Sequence, residues 1–235
     1  SITSSVIIPK NEWHQLAVSY NGNELKLYID GVRDTQKEIT LTQISNDNPF
    51  LIGGIKAGSS TSVFFKGSID EVRVWDAALT TVEIRDLMNQ ELSVQDDSYI
   101  GTQLNAKETK TILSAHKLKA YFPMLSYIFK SVKDESGNGF IAKLKNIDSA
   151  DEQTAPLPYQ SVSDGRWEDK NIWKNGSSQP LPNSKSIVDN TTIIDWNIVK
   201  TSHNISVSKD ITAAALYVED NELALDDNSL TITNY

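Results

Sequence analysis

Apolar and polar residues alternate at period two through Leu25-Lys26-Leu27-Tyr28-Ile29, which predicts a strand with one face toward a core and the other toward water. The run Trp13–Tyr20 reaches that strand through Asn21-Gly22, a pair that tolerates the positive φ angles of a tight turn, so the two segments form an antiparallel hairpin. Asp30-Gly31 is a second turn, returning the chain toward Ile39-Thr40-Leu41. A further strand, Phe50–Gly54, ends in a small-residue loop (Ala57-Gly58-Ser59-Ser60-Thr61-Ser62). The run Val63–Trp75 follows as one strand, with Ile69, Glu71, Arg73 and Trp75 on one face and Asp70, Val72 and Val74 on the other. Mixed character on both faces places it inside a sandwich, near the rim. Thr80 and Glu83 have the spacing of a capping box, and Ile84, Leu87 and Met88 share one helical face. They predict an amphipathic helix of about three turns that covers a sheet edge or end.

Residues 93–117 are polar and irregular and read as a loop or insertion. Strands resume at Leu118–Phe122, Val132–Lys133 and Ala142–Leu144, the last two joined by the turn-forming Ser136-Gly137-Asn138-Gly139. From 148 to 158 the composition shifts to Asp, Glu, Pro and Ala, a linker composition, and a domain boundary is expected there. Beyond it an internal repeat appears: apolar residues at 216, 223 and 230 and again at 218, 225 and 232, with Asp220/Asp227 and Asn221/Asn228 at the bends. The period of seven is also that of a coiled coil, but the i, i+2 apolar spacing and the Asp-Asn bends disfavour a helix. Short strands with repeated corners are expected, as a β-solenoid or a tight meander. Ile187-Val188, Ile193-Ile194, Ile198-Val199 and Ile205/Val207 continue this style upstream.

The 235 residues allow one or two domains, and two are expected. With 22 Lys and Arg against 31 Asp and Glu, the net charge of −9 repels phosphate backbones, which argues against nucleic acid as a partner. The absence of cysteine removes disulfides, thiolate metal sites and cysteine nucleophiles. The three histidines, His14, His116 and His203, lie far apart along the chain, so a His-rich metal site is not expected. No apolar stretch approaches the ~20 residues a membrane span needs. The opening residues lack a signal-peptide pattern, which fits either a cytosolic protein or a piece of a longer secreted one.

The ordered run Trp13-His14-x-Leu16-Ala17-Val18-Ser19-Tyr20-x-Gly22-x-x-Leu25-x-Leu27-Tyr28-Ile29-Asp30-Gly31 is followed by Gly67-x-Ile69-Asp70-Glu71-Val72-Arg73-Val74-Trp75-x-x-Ala78-Leu79-Thr80-x-x-Glu83-Ile84. Together they resemble the laminin-G-like, concanavalin A-like jelly-roll family. The resemblance implies an all-β, antiparallel sandwich over residues 1–156. It also implies that the sandwich is incomplete at its N-terminus, since the family's Trp-His strand usually follows several earlier ones. Residues 157–235 are expected to form a second β-solenoid-like or β-repeat module, incomplete at its C-terminus. The continuation through Asp134-x-Ser136-Gly137-Asn138-Gly139 and Asp164-Gly165-Arg166-Trp167 is similar to large surface proteins of Bacteroidetes. That implies export by the type IX secretion system, display at the outer cell surface and adhesion, including gliding-related adhesion.

Glucanases on this scaffold place two carboxylates across a glycosidic bond. Asp70-Glu71 is the one tempting pair, but adjacent strand residues point to opposite faces, and a structural role in which Asp70 caps a loop or pairs with Arg73 is preferred. No catalytic residue is assigned and no enzyme is expected. The loop before the Gly-x-Ile-Asp strand carries no carboxylate, so the calcium site known from pentraxin-like relatives is not supported. No cofactor or metal ligand is assigned, although Asp134/Asn138 or Asp220/Asp227 remain alternative calcium positions. The hydroxyl-rich rim loop nominates Lys56, Ser59, Ser60 and Thr61 as ligand contacts. His14 is expected to be packed or hydrogen-bonded, and most of the tryptophans to be core. Ser149 fits a bacterial O-glycosylation pattern in the linker, whereas Asn175, Asn190 and Asn204 fit the eukaryotic N-glycan pattern. The expected function is therefore a non-enzymatic adhesin fragment that binds or displays glycan or protein ligands. The alternatives are an accessory module of a polysaccharide-active enzyme and a passive spacer.

Overall fold

The computed structural model describes residues 2–40, 48–57, 61–95, 98–104, 113–114, 117–125, 127–147, 151–175 and 181–233. They are mostly β, with one short α-helix. Strands β1 (Leu16–Tyr20), β2 (Glu24–Ile29) and β3 (Val32–Glu38) form an antiparallel meander. Asn21 closes the first turn, its side-chain oxygen accepting from the Asn23 and Glu24 amides. The second turn is Asp30-Gly31, after which β3 begins at once, seven residues before the expected Ile39. β4 (Gly54–Ala57) and β5 (Thr61–Phe64) form a separate hairpin. The expected strand at Phe50–Gly54 is thus displaced: Phe50 and Leu51 precede it and are exposed.

The single strand expected over Val63–Trp75 is broken in two. β5 stops at Phe64, an irregular stretch follows, and β6 spans only Val72–Trp75. Glu71 adopts φ 52°, a left-handed conformation no strand contains, because its carboxylate turns inward to meet Arg73 and Tyr121. Helix α1 (Thr81–Leu87) starts at the expected capping box, with both reciprocal bonds of Thr80 and Glu83 formed, and is shorter than expected. The supposed loop at 93–117 contains β7 (Leu92–Gln95), β8 (Ser98–Gly101) and β9 (Leu113–Ser114), paired in an antiparallel sheet. Ladder bonds are indifferent to side-chain polarity, which is why a polar segment concealed strands. β10 (Leu118–Phe122) pairs with β6, and β11 (Ser131–Lys133) with β12 (Ile141–Lys143) across the expected turn.

After residue 151 the pairing becomes parallel. β13 (Tyr159–Gln160) and β14 (Gly165–Arg166) precede a 3-10 turn at Lys170–Ile172. β15 (Ile198–Thr201), β16 (Ile205–Ser206) and β17 (Ile211–Ala213) follow, and then β18 (Ala215–Val218), β19 (Leu223–Ala224) and β20 (Leu230–Ile232). Sheet orders are β13-β15-β18, β14-β16-β19 and β17-β20, all paired in parallel. Stacked partners are 17 residues apart at Ile198/Ala215, 18 at Ile205/Leu223 and 19 at Ile211/Leu230. The period of seven seen in the sequence is therefore the step from one sheet to the next. Leu216, Leu223 and Leu230 do not stack on each other; they pair with Val199, Ile205 and Ile211 of the preceding course. Parallel pairing excludes an antiparallel meander.

The largest buried cluster belongs to this region: Tyr159, Trp167, Ile172, Trp173, Val199, Ile205, Val207 and Ile211, with Leu216, Leu223 and Leu230 against it. Trp167 and Trp173 meet edge to face, ring centroids 5.1 Å apart. A second cluster joins α1 to the strands through Leu87, Leu92, Leu118 and Tyr121. Two more clusters draw from both halves of the chain: Leu104 with Ile198, Ala214 and Ala215, and Val32 with Ile194 and Trp196.

Candidate functional site

One face of the β1-β2 hairpin is polar. Ser19 lies opposite Lys26 in the ladder, and Glu24, Lys26 and Tyr28 alternate along β2 on that same side. The segment leading into α1 lies over this face, fixed by the Ser19 hydroxyl donating to the Leu79 carbonyl at 3.0 Å. Between them lies a groove of about 270 Å³, lined by Ser19, Asn21, Glu24, Lys26, Tyr28 and residues 78–81. Its polar groups are of mixed type. Lys26 Nζ is 2.9 Å from Glu24 Oε2, an ion pair about one-third exposed, and hydroxyls come from Ser19, Thr80 and Thr81. The apolar wall is Tyr28, Ala78 and Leu79. A shallower depression of about 360 Å³, lined by Asn23, Glu24, Glu38, Ile39 and Thr40, shares Glu24 with the groove. Paired charges, an amide and hydroxyls over an apolar floor suit a neutral ligand with several hydroxyl groups. Each ligand hydroxyl can donate to a carboxylate and accept from an ammonium, and C–H faces can lie on the methyl groups of Ala78 and Leu79.

The rim loop is shorter than its sequence suggests. Lys56 and Thr61 are ladder residues of β4 and β5, Lys56 pairing with Ser62 and Ala57 with Thr61. Ser59 and Ser60 lie outside the described residues, as do Ser149 in the linker and His116. Lys56 and Thr61 thus belong to the β4-β5 hairpin, and neither lines the groove. The groove residues went unnominated because an alternating strand is read for its apolar face. The available signal was the hydrogen-bonding content of the polar one: Ser19, Glu24 and Lys26 on a single side.

Asp70 and Glu71 face different partners. Glu71 accepts from the Tyr121 hydroxyl at 2.9 and 3.0 Å and pairs with Arg73, whose guanidinium also holds the carbonyls of Leu87 (2.7 Å) and Gln90 beyond the end of α1. Burial pushes the Glu71 carboxyl above its ordinary range against the pull of Arg73. Asp70 is bonded to Gln153, and burial raises its pKa too. The expected Asp70–Arg73 pairing is replaced by Glu71–Arg73. Each carboxylate has a structural partner, Gln153 for Asp70 and Arg73 with Tyr121 for Glu71, while Asp70 Oδ1 is buried without a hydrogen bond.

The Asp134 carboxylate accepts from the Tyr121, Ser136 and Phe140 amides and the Ser136 hydroxyl. Burial would raise its pKa, but these donors outweigh it and hold it low. Asn138 donates to the carbonyls of Leu118 and Lys119. Both residues thus close the turn between β11 and β12, and Asp134 offers a cation oxygens already occupied by N–H donors. Asp220 adopts a left-handed φ of 48° at a bend, beside Asn221. Among the described residues no group of His, Asp and Glu comes together with metal-binding geometry. The His14 side chain is buried, its Nδ1 2.7 Å from Asp30 Oδ2. Trp167, Trp173 and Trp196 are core, while Trp13 and Trp75 are half-buried. Among the described residues no helix is long and apolar enough to cross a membrane.

Residues 1–85, which contain the meander, the groove and the start of α1, match the family described as the concanavalin A-like lectin/glucanases superfamily. The similarity covers residues 1–85 and is to a family whose description names lectins and glucanases. No curated protein and no solved structure matches the chain.

Proposed function

We propose that this chain is a non-enzymatic carbohydrate-recognition and display module of a secreted cell-surface protein, and that the groove between β2 and residues 78–81 holds the sugar. The observation that carries this reading is the groove itself: paired Glu24 and Lys26 with Ser19, Asn21 and Thr81, set over Tyr28 and Leu79, inside the segment that matches a lectin and glucanase family. The commitment of Asp70 and Glu71 to Gln153, Arg73 and Tyr121 supports binding without turnover. The parallel strands after residue 158 act as a β-solenoid stalk, carrying the sandwich away from its attachment. Display at a bacterial outer surface, adhesion in the service of gliding and passage through the type IX machinery rest on the sequence resemblance alone. No cofactor is part of the proposal.

The test is a glycan array probed with the wild-type chain and with a Glu24→Ala/Lys26→Ala double variant. Selective binding weakened at least about tenfold in the variant, about 1.4 kcal/mol, is the expected result. Release of new reducing ends from any bound polysaccharide, abolished by Asp70→Ala or Glu71→Ala, would replace this reading with an enzyme.

A further inference from the structure

We infer that the Asp30-Gly31 turn is a key locking residues 2–147 and 151–233 into one rigid, cooperatively unfolding body, so that the groove keeps a fixed orientation to the parallel stack. The inference is independent of what the groove binds. Gly31 sits at φ +74°, and a Cβ there would lie 2.8 Å from Arg85 Cγ and 2.9 Å from Trp196 Nε1. The turn is therefore inserted between the helix of the first segment and an aromatic ring of the second, at a distance only glycine allows. The Gly31 carbonyl accepts from Arg85 Nε at 3.0 Å, and the same guanidinium stacks on the Trp196 ring, 3.6 Å from its centroid. Trp196 Nε1 in turn donates to Met88 Sδ at 3.1 Å, and Val32, the first residue after the turn, packs with Ile194 and Trp196.

The remaining seam contacts have the character of a core. Asn89 and Asn197 are 2% and 1% exposed and bond each other at 3.1 Å, with Asn89 also donating to the Pro156 carbonyl. Leu104 is 1% exposed and closes against Ile198 and Ala214. The turn itself is held from behind. Asp30 accepts from the Gln15 amide at 2.9 Å and binds His14, while Glu12, 3.7 Å from His14, reaches Lys170 of the second segment at 3.5 Å. Segments joined only by a linker move independently unless the interface is large and apolar. Here separation would expose Val32, Leu104, Ile194, Trp196 and Ile198 together, a patch that soluble surfaces avoid.

The experiment compares Gly31→Ala with Gly22→Ala in the full chain, by calorimetry and hydrogen exchange. Gly22 also has a positive φ (+102°), but nothing lies within 4 Å of a Cβ built there. Gly22→Ala therefore reports backbone strain alone. Wild type is expected to melt in a single transition. Gly31→Ala should lower Tm by about 5 °C or more beyond Gly22→Ala and lose amide protection on both sides of the seam, at 28–32, 84–90 and 194–198, while 205–213 stays protected. Two resolved transitions in wild type would overturn the inference, as would equal effects of the two substitutions. If Gly31→Ala does not accumulate folded, Trp196→Phe provides the same exchange comparison, and protection unchanged at 28–32 would count against the key.

Discussion

The two halves of the chain solve the problem of an apolar β-surface in opposite ways. In the antiparallel half, Leu16 and Val18 on β1 are 56% and 63% exposed, and Ile55, Val63 and Phe64 of the β4-β5 hairpin are exposed too. In the parallel half, Val199, Ile205 and Ile211 are at most 1% exposed. The first half arranges its apolar residues on sheet faces that need a second layer, and among the described residues none is laid over Leu16 and Val18. The second half pairs its strands in parallel, with Val199, Ile205 and Ile211 each opposite a leucine 17 to 19 residues further on. Its register is fixed at the corners by short side chains bonding the next course. Asp164 accepts from the Asn204 amide at 2.9 Å, Asn204 from Glu222 at 3.1 Å, and Asp210 from Ser229 at 2.8 Å. Burial of apolar area, which drives folding at roughly 25 cal/mol per Å², is thus concentrated in the second half.

That contrast predicts unequal responses to comparable substitutions. Trp167→Ala should have the largest effect, about 3–5 kcal/mol, because it opens a cavity beside Trp173 in the main cluster. Denaturant unfolding monitored by tryptophan fluorescence would measure it. A smaller effect is expected from pH at His14. Burial alone would lower its pKa, but the hydrogen bond and charge of Asp30, with Glu12 adding, raise it above the ordinary value of about 6.5. A raised histidine stabilises the fold fully below the unfolded value and loses that contribution as pH climbs through the folded one. Melting temperature should therefore fall as pH rises above about 6.5 in wild type more than in His14→Gln. An equal slope in both would show that His14 does not titrate in this range. The smallest effect belongs to Val18→Thr, expected within about 0.5 kcal/mol of wild type since the side chain is already in water. A loss above about 2 kcal/mol would mean that the face is covered in solution and that both halves bury their apolar strands alike.

How much was legible depended on whether a feature is written in local pattern. The hairpin turn at Asn21-Gly22, the capping box of Thr80 and Glu83, and the turn at Ser136–Gly139 all appear where short-range chemistry places them, because each satisfies its own backbone groups. Features made by distant residues were not visible. Nothing near Glu71 announces Tyr121, fifty residues on, yet that partnership breaks the expected strand. The period of seven identifies strands and corners but cannot say which strands pair, since paired residues lie 17 to 19 positions apart. The groove was half legible. The alternation of β2 is plain in the sequence, but the segment that covers its polar side arrives about fifty residues later.

Amide chemical-shift mapping with the best glycan from the array addresses the central claim most directly. Saturable shifts are expected to cluster at residues 19–28 and 78–81, with the glycan recovered intact. Shifts centred on Asp70 and Glu71 with cleaved product, or confined to residues 159–233, would contradict sugar binding in the groove.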